Sequence, residues 1–285
     1  MSATSIEWAH KSANAAAGCS EARHADGTMS QECAHCYARL QSARMPALMQ
    51  GGKPSVRKDQ VADLYDGVAE RAGRGARWTG AMRWDPELLS DAFRGLRPGG
   101  RTFLGSMTDL FHPFHAHGLR EQLAREIKIT DRFPEVQPEG LILLTKRAPE
   151  LLAWQREHFP AGLPSWVWPG VTAGTVQSVR ERVPLLRRVI ADVRVVSAEP
   201  LLEDISGEFD PAGHALTLTA KIAWVIAGCE SGIGRRPSDP AWFRALRDGC
   251  VAAGSSFFLK QMDVGGAVVG TPELDGRTWT EVPRA

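Results

Sequence analysis

The chain has 285 residues, of which 43% are apolar, and 34 Lys plus Arg stand against 33 Asp plus Glu. That length and apolar content suit a single α/β barrel-type domain, and the balanced charge excludes a global electrostatic drive towards nucleic acid or an anionic membrane, leaving room only for a local basic groove. No apolar run approaches the ~18 residues that span a bilayer, and the opening MSATSIEWAHKSANAAAGC lacks a basic segment leading into an apolar core, so a cytoplasmic protein with no membrane contact is expected.

In chain order, the first candidate strand is a weak one at 6–8, followed by three of the five cysteines between positions 19 and 36. A stretch at about 50–83 is rich in Gly, Arg and Lys with weak periodicity, and predicts a cap inserted over a barrel mouth. Short β-branched or apolar runs at 102–104, 141–144, 166–171, 193–196, 222–227 and 256–259 predict strands. Helical patterns at 86–96, 119–129, 149–158, 176–190 and 240–253 lie between them. Three of these helices carry Pro in the first turn, two of them after an Asp cap, Asp85 and Asp239. A second insertion is expected at 204–221, and 262–285 reads as a peripheral extension. Alternating strands and helices imply parallel βα units, and strands this apolar leave no wet face, as a sheet covered by helices requires. The expected fold is α/β: a partial, open (βα) barrel of TIM type over 1–261.

In such barrels the chemistry sits where strands end. Here those ends carry Ser106-Met107-Thr108-Asp109, Thr145-Lys146-Arg147, Thr172, Ser197-Ala198-Glu199-Pro200, Gly228-Cys229-Glu230 and Lys260-Gln261. One such Ser or Thr is most simply a helix cap or a turn; six polar ends on one face point to a site. Glu199 and Glu230 are the strongest candidate acids, and Lys146 is a further candidate catalytic residue. The bland alternative is that these acids pair with Lys146, Arg147 or Lys260 and merely seal the mouth. The segment His112-Pro113-Phe114-His115-Ala116-His117 has the wrong spacing for a helical metal site, so a loop with one functional histidine, His112, is expected.

Cys19, Cys33 and Cys36 can place three thiolates on one metal centre, an iron–sulfur cluster or zinc. Zinc would need His24, His35 or His10 as a fourth ligand, whereas a cubane on three cysteines leaves one iron open for a ligand. Free thiols are the remaining reading. Position near the first strand favours the cluster. Cys229 and Cys250 read as packing residues.

Together, Ile6-Glu7-Trp8, Gly18-Cys19, Cys33-x-x-Cys36-Tyr37-Ala38, Ser106 to His112, Leu144 to Arg147, Ser197-x-Glu199-Pro200-Leu201 and Gly228-x-Glu230-Ser231-Gly232 resemble a phage and prophage family. That family carries a three-cysteine domain of unknown function, a distant relative of the radical S-adenosylmethionine (radical SAM) superfamily. The usual superfamily cysteine spacing of three then two residues is absent here. The resemblance implies a radical-SAM kind of barrel and a 4Fe-4S cluster on the three cysteines, with S-adenosyl-L-methionine on the fourth iron. It implies cofactor contacts from Ser106 and Asp109 to the amino group, His35 near the adenine, and Thr172, Ser197 and Glu199 around the ribose or carboxylate. Lys146 or Arg147 would neutralise that carboxylate. An electron donor such as flavodoxin or ferredoxin is implied as partner. The implied reaction begins with a 5′-deoxyadenosyl radical and acts on a nucleotide or nucleic acid, for example a hypermodified phage DNA base undergoing rearrangement. Segment 71–83, with Trp78 and Trp84, could then supply phosphate contacts and stacking, or be no more than a solvated cap. Two other readings stay open: a zinc-stabilised nucleic-acid-binding protein without catalysis, and a degenerate partner protein of a phage or defence system.

Overall fold

Runs such as 141–144 and 224–227 have no polar side, and the chain accommodates them by burying both faces of one sheet. The computed structural model describes residues 2–4, 6–51, 55–115, 117–208, 222–232 and 234–283. Strand β1 (Ser2–Ala3) pairs antiparallel with β2 (Lys11–Ala13). From β2 the chain passes through β3 (Ala16–Ala17) and the cysteine loop into α1 (Tyr37–Met49) and α2 (Val56–Tyr65). A hairpin of β4 (Ala69–Ala72) and β5 (Gly75–Trp78), then β6 (Arg83–Trp84), which pairs with β3, and α3 (Pro86–Arg94) complete this first long crossover.

Regular units follow: β7 (Arg101–Leu104), α4 (His117–Thr130), β8 (Gly140–Thr145), α5 (Ala148–His158), β9 (Val167–Thr172), α6 (Val176–Arg187), β10 (Val195–Ala198), β11 (Trp224–Gly228), α7 (Pro240–Ala253), β12 (Ser256–Val264) and β13 (Ala267–Gly270). The helices start where the local chemistry dictates, with the side chains of Asp85, Thr175 and Asp239 accepting from Leu88, Ser178 and Ala241 amides.

Nine of these strands form one sheet, in the order β1-β2-β7-β8-β9-β10-β11-β12-β13. Pairing is parallel from β2 to β12 and antiparallel at the two ends. The sheet curls but stays open, a partial α/β barrel. Side chains alternate across it with period 2. Leu141, Leu143, Val225, Ala227, Phe257 and Leu259 join the core under the helices, while Ile142, Trp168, Trp224, Ile226 and Phe258 fill the inner face with Trp8 and Phe103.

Two sequence expectations change. Segment 6–8 is a turn, not a strand: Ala9 donates its amide to the Ile6 carbonyl, and Trp8 packs on Phe103 and Trp224, so its apolar character serves the inner core rather than pairing. The extension from 262 is part of the fold rather than peripheral, because β12 continues to Val264 and turns into β13. Leu274 is buried, Trp279 packs edge-on against Phe257, and the Trp224 indole donates to the Glu281 carbonyl. The expected insertion at 204–221 lies mostly outside the described residues. Among the described residues no helix is long and apolar enough to cross a membrane.

Candidate functional site

A cavity of about 680 Å³ opens at the C-terminal ends of the parallel strands. Its wall draws on Ser106 and Asp109 after β7, Lys146 and Arg147 after β8, Thr172 on β9, Ser197 and Glu199 around the end of β10, and Lys260 and Gln261 on β12. Cys19, Cys33 and Cys36 line the same cavity, with Tyr37 from the start of α1, Trp78 from the end of β5 and Trp8 from the inner core. Nine of the sequence-predicted site residues therefore converge. His35, His112 and Glu230 are not on the wall.

The cysteine loop is pinned from several sides. Glu32 has a side chain that is 0% exposed, and it accepts from the Gly174 amide, from Ser30 and from Arg182, itself 4% exposed. Burial opposes the Glu32 charge, but Arg182 and the hydroxyls outweigh it and hold the carboxyl down at about 2. On the other flank Glu230 accepts from the His35 ring, and from the amide and guanidinium of Arg236, which also donates to the Gln31 carbonyl. Glu230 thus ties the end of β11 to the loop instead of acting as an acid in the cavity. His35 faces Glu230, where a role at an adenine would need it facing the cavity. His24 closes the loop at its outer turn, 2.8 Å from Glu181.

The thiols differ in environment. Burial pushes Cys19 up to about 12, with Asp109 adding to the rise and Arg147 opposing it. The sulfur of Cys33, 8% exposed, accepts from the Ala22 amide. Cys36 is the N-cap of α1. The Lys146 ammonium makes no hydrogen bond or ion pair with any described residue, while its backbone amide donates to Asp109. Burial works against its charge, but Cys33 and Cys36 outweigh that and hold its pKa above the usual lysine value.

Asp109 is a clamp. Its oxygens accept from the Thr145 hydroxyl, the Phe111 and Lys146 amides and the Arg147 guanidinium, so burial is overcome and the carboxyl stays below the usual range. With four donors already in place it holds the ends of β7 and β8 together, and is not an open acceptor for an amino group. Glu199 forms an ion pair of 2.9 Å with Lys260 and accepts from Ser197 at 3.2 Å, the sealing pair that the sequence offered as the bland alternative. Ser106 shares hydrogen bonds with Asn14, and its carbonyl accepts from the Tyr37 hydroxyl. Thr172 gives its carbonyl to Arg182. His112, expected as the functional histidine, is 1% exposed and sits behind the wall, its Nε2 2.7 Å from Ser20 Oγ. The side chain of His117 lies outside the described residues.

Ser20, Glu32, Arg182 and Asn14 were not singled out by sequence. Ser20 and Glu32 adjoin cysteines, the one local signal available; Arg182 reads as an ordinary polar residue of a helix.

All five cysteines are free. Among the described residues no group of three or more His, Cys, Asp or Glu is arranged to hold a metal ion. The histidines that zinc would recruit are committed elsewhere, His24 to Glu181, His35 to Glu230, and His10 to the Arg101 amide at the opposite end of the strands. A four-iron cluster makes another demand: each thiolate binds a different iron, so the sulfurs surround a volume rather than a point. The three thiols line one cavity together with the side chains of Lys146 and Arg147. Cys229 and Cys250 stay off the wall and are buried, with burial pushing them up to about 11 and about 12.

No curated protein and no solved structure matches the chain. The family described as "Protein of unknown function (DUF5131)" matches residues 3–283, and the chain belongs to that family.

Proposed function

We propose that this protein is a radical S-adenosylmethionine enzyme holding a 4Fe-4S cluster on Cys19, Cys33 and Cys36. The observation that carries the reading is the convergence of three free cysteines on one strand-end cavity faced by Lys146 and Arg147. Bound there, the cluster and S-adenosylmethionine would supply reductive cleavage to a 5′-deoxyadenosyl radical that abstracts hydrogen from a substrate. The chain's own residues prepare the place. Lys146 and Arg147 offset anionic charge, and the Glu32 and Glu230 anchors fix the loop so that little ordering cost remains at binding. Tyr37 and Trp78 add aromatic surface to the cavity wall. A reducing partner of the flavodoxin or ferredoxin kind is part of the proposal.

A nucleotide or nucleic acid is the proposed substrate. What supports it is the β4–β5 hairpin, where Arg71 and Arg74 are exposed and carry no ion pair among the described residues, while Trp78 at its base lines the cavity. Arg71→Ala with Arg74→Ala should weaken binding of single-stranded DNA and lower its salt slope by roughly 1 to 2; unchanged binding removes the nucleic-acid substrate.

The enzyme reading is tested by anaerobic purification with iron and sulfide analysis and a dithionite assay for 5′-deoxyadenosine. About four irons per chain and cleavage that Cys33→Ala abolishes are expected. Stoichiometric zinc without cleavage overturns it.

A further inference from the structure

Behind the cavity wall, His112 fixes the direction of another residue's hydrogen bond. The Phe114 amide donates to His112 Nδ1 at 3.1 Å, so that nitrogen carries a lone pair and the ring hydrogen must be on Nε2. Nε2 stands 2.7 Å from Ser20 Oγ and therefore donates to it. Arg147, which has only donors, reaches the same oxygen at 3.3 Å through Nη2. A serine hydroxyl accepts two hydrogen bonds and donates one. Both acceptor sites are thus occupied, one by His112 behind the wall and one by Arg147, and no described residue takes the Ser20 hydrogen.

Ser20 lines the cavity, next in sequence to Cys19 and on the same wall as Lys146. Its hydroxyl is a committed donor polarised by a cation, and the Lys146 ammonium, without a partner among the described residues, lines the same cavity. An anionic oxygen satisfies both groups at once; a donor group would meet the Ser20 hydrogen head-on.

We propose that Ser20 is a specificity-determining residue, whose hydroxyl donates to an anionic oxygen of the small-molecule ligand, a carboxylate or a phosphate, while Lys146 supplies the opposing charge. The carboxylate form rests on the cofactor reading above. The phosphate form does not.

The test is equilibrium binding by calorimetry on the anaerobically purified protein, with S-adenosylmethionine, its decarboxylated analogue and inorganic phosphate as probes. Wild type is compared with Ser20→Ala and Ser20→Thr after thermal denaturation has shown each to be folded. If the ligand oxygen is a carboxylate, Ser20→Ala weakens S-adenosylmethionine about tenfold or more, as expected for a hydrogen bond to a charged group, leaves the decarboxylated analogue unchanged, and Ser20→Thr restores most of the loss. Ser20-dependent binding of phosphate without binding of S-adenosylmethionine keeps the inference and removes the cofactor reading. Equal losses for S-adenosylmethionine and its decarboxylated analogue, no loss for any probe, or a wild type that binds neither anion overturns it.

Discussion

Between Ala17 and Cys19 the backbone turns through Gly18 at φ +91°, and a Cβ there would stand 2.1 Å from the Ala81 carbonyl oxygen. Strain and collision act together, since an L side chain disfavours that φ and backbone cannot move aside as a flexible side chain would. The Gly18 carbonyl also accepts from the Thr108 hydroxyl, so any shift is passed to the loop after β7. Gly18→Ala is expected to cost at least about 3 kcal/mol in urea unfolding, and to lower iron content alongside. A full iron load at unchanged stability would show that the turn before Cys19 is not what places it.

At the scale of elements, the cysteine loop and α6 are joined by a buried ion pair, Glu32 with Arg182. Removing one partner strands a charge, which costs about 3–5 kcal/mol, whereas replacing both with apolar residues of similar volume is often neutral. Arg182→Met alone should therefore destabilise by that amount. Adding Glu32→Met should recover most of the stability but not the metal load, because Gly174 then loses its hold on the loop. Recovery of both in the double variant would reduce the pair to a packing feature. This anchor also marks where sequence reading stops. Strands β7 to β12 are legible because fully apolar runs between capped helices admit few other arrangements, and the polar residues at their ends are local features that the topology gathers. Glu32 and Arg182 are 150 residues apart, and no periodicity connects them. Trp8 misled because an apolar segment reads as strand whether it pairs or plugs a barrel. Gly265 and Gly266 read as the start of a loose tail, yet they form the turn between β12 and β13 that leads Trp279 back onto the core. His112 was found as a residue of the right loop, but burial and its partner, neither visible in sequence, make it a support for Ser20 rather than a group in the cavity.

For the whole molecule, the network behind the cavity makes stability depend on pH through two neutral histidines. Burial pushes His112 down to about 4, with Arg147 adding to the fall and Asp109 opposing it. Burial likewise pushes His115 down to about 4, against Asp109 and with Arg120 and Arg147. His115 donates from Nε2 to Thr108, whose own hydrogen goes to Gly18, and its Nδ1 is buried without a hydrogen-bond partner among the described residues. Neither ring has a place for a second proton. The ordinary value, near 6.5, belongs to the unfolded chain, so between 6.5 and about 4 the unfolded state binds protons that the fold refuses. The stability these rings contribute is complete above pH 6.5 and lost as the pH falls through that window, at up to ~1.4 kcal/mol per pH unit for each ring. Carboxylates held low, Asp109 and Glu32, add their own loss only below about 4.5, the usual carboxylate range. Urea unfolding from pH 7 to 5 isolates the histidines. Wild type should lose stability steadily across that interval, and His115→Gln, which removes one titrating ring, should show about half the slope whatever its stability at pH 7. A wild type whose stability is flat from pH 7 to 5 would mean that both rings carry their second proton in the fold. His112 would then hold a proton where the Phe114 amide needs a lone pair, and the direction assigned to the Ser20 hydroxyl would lose its foundation.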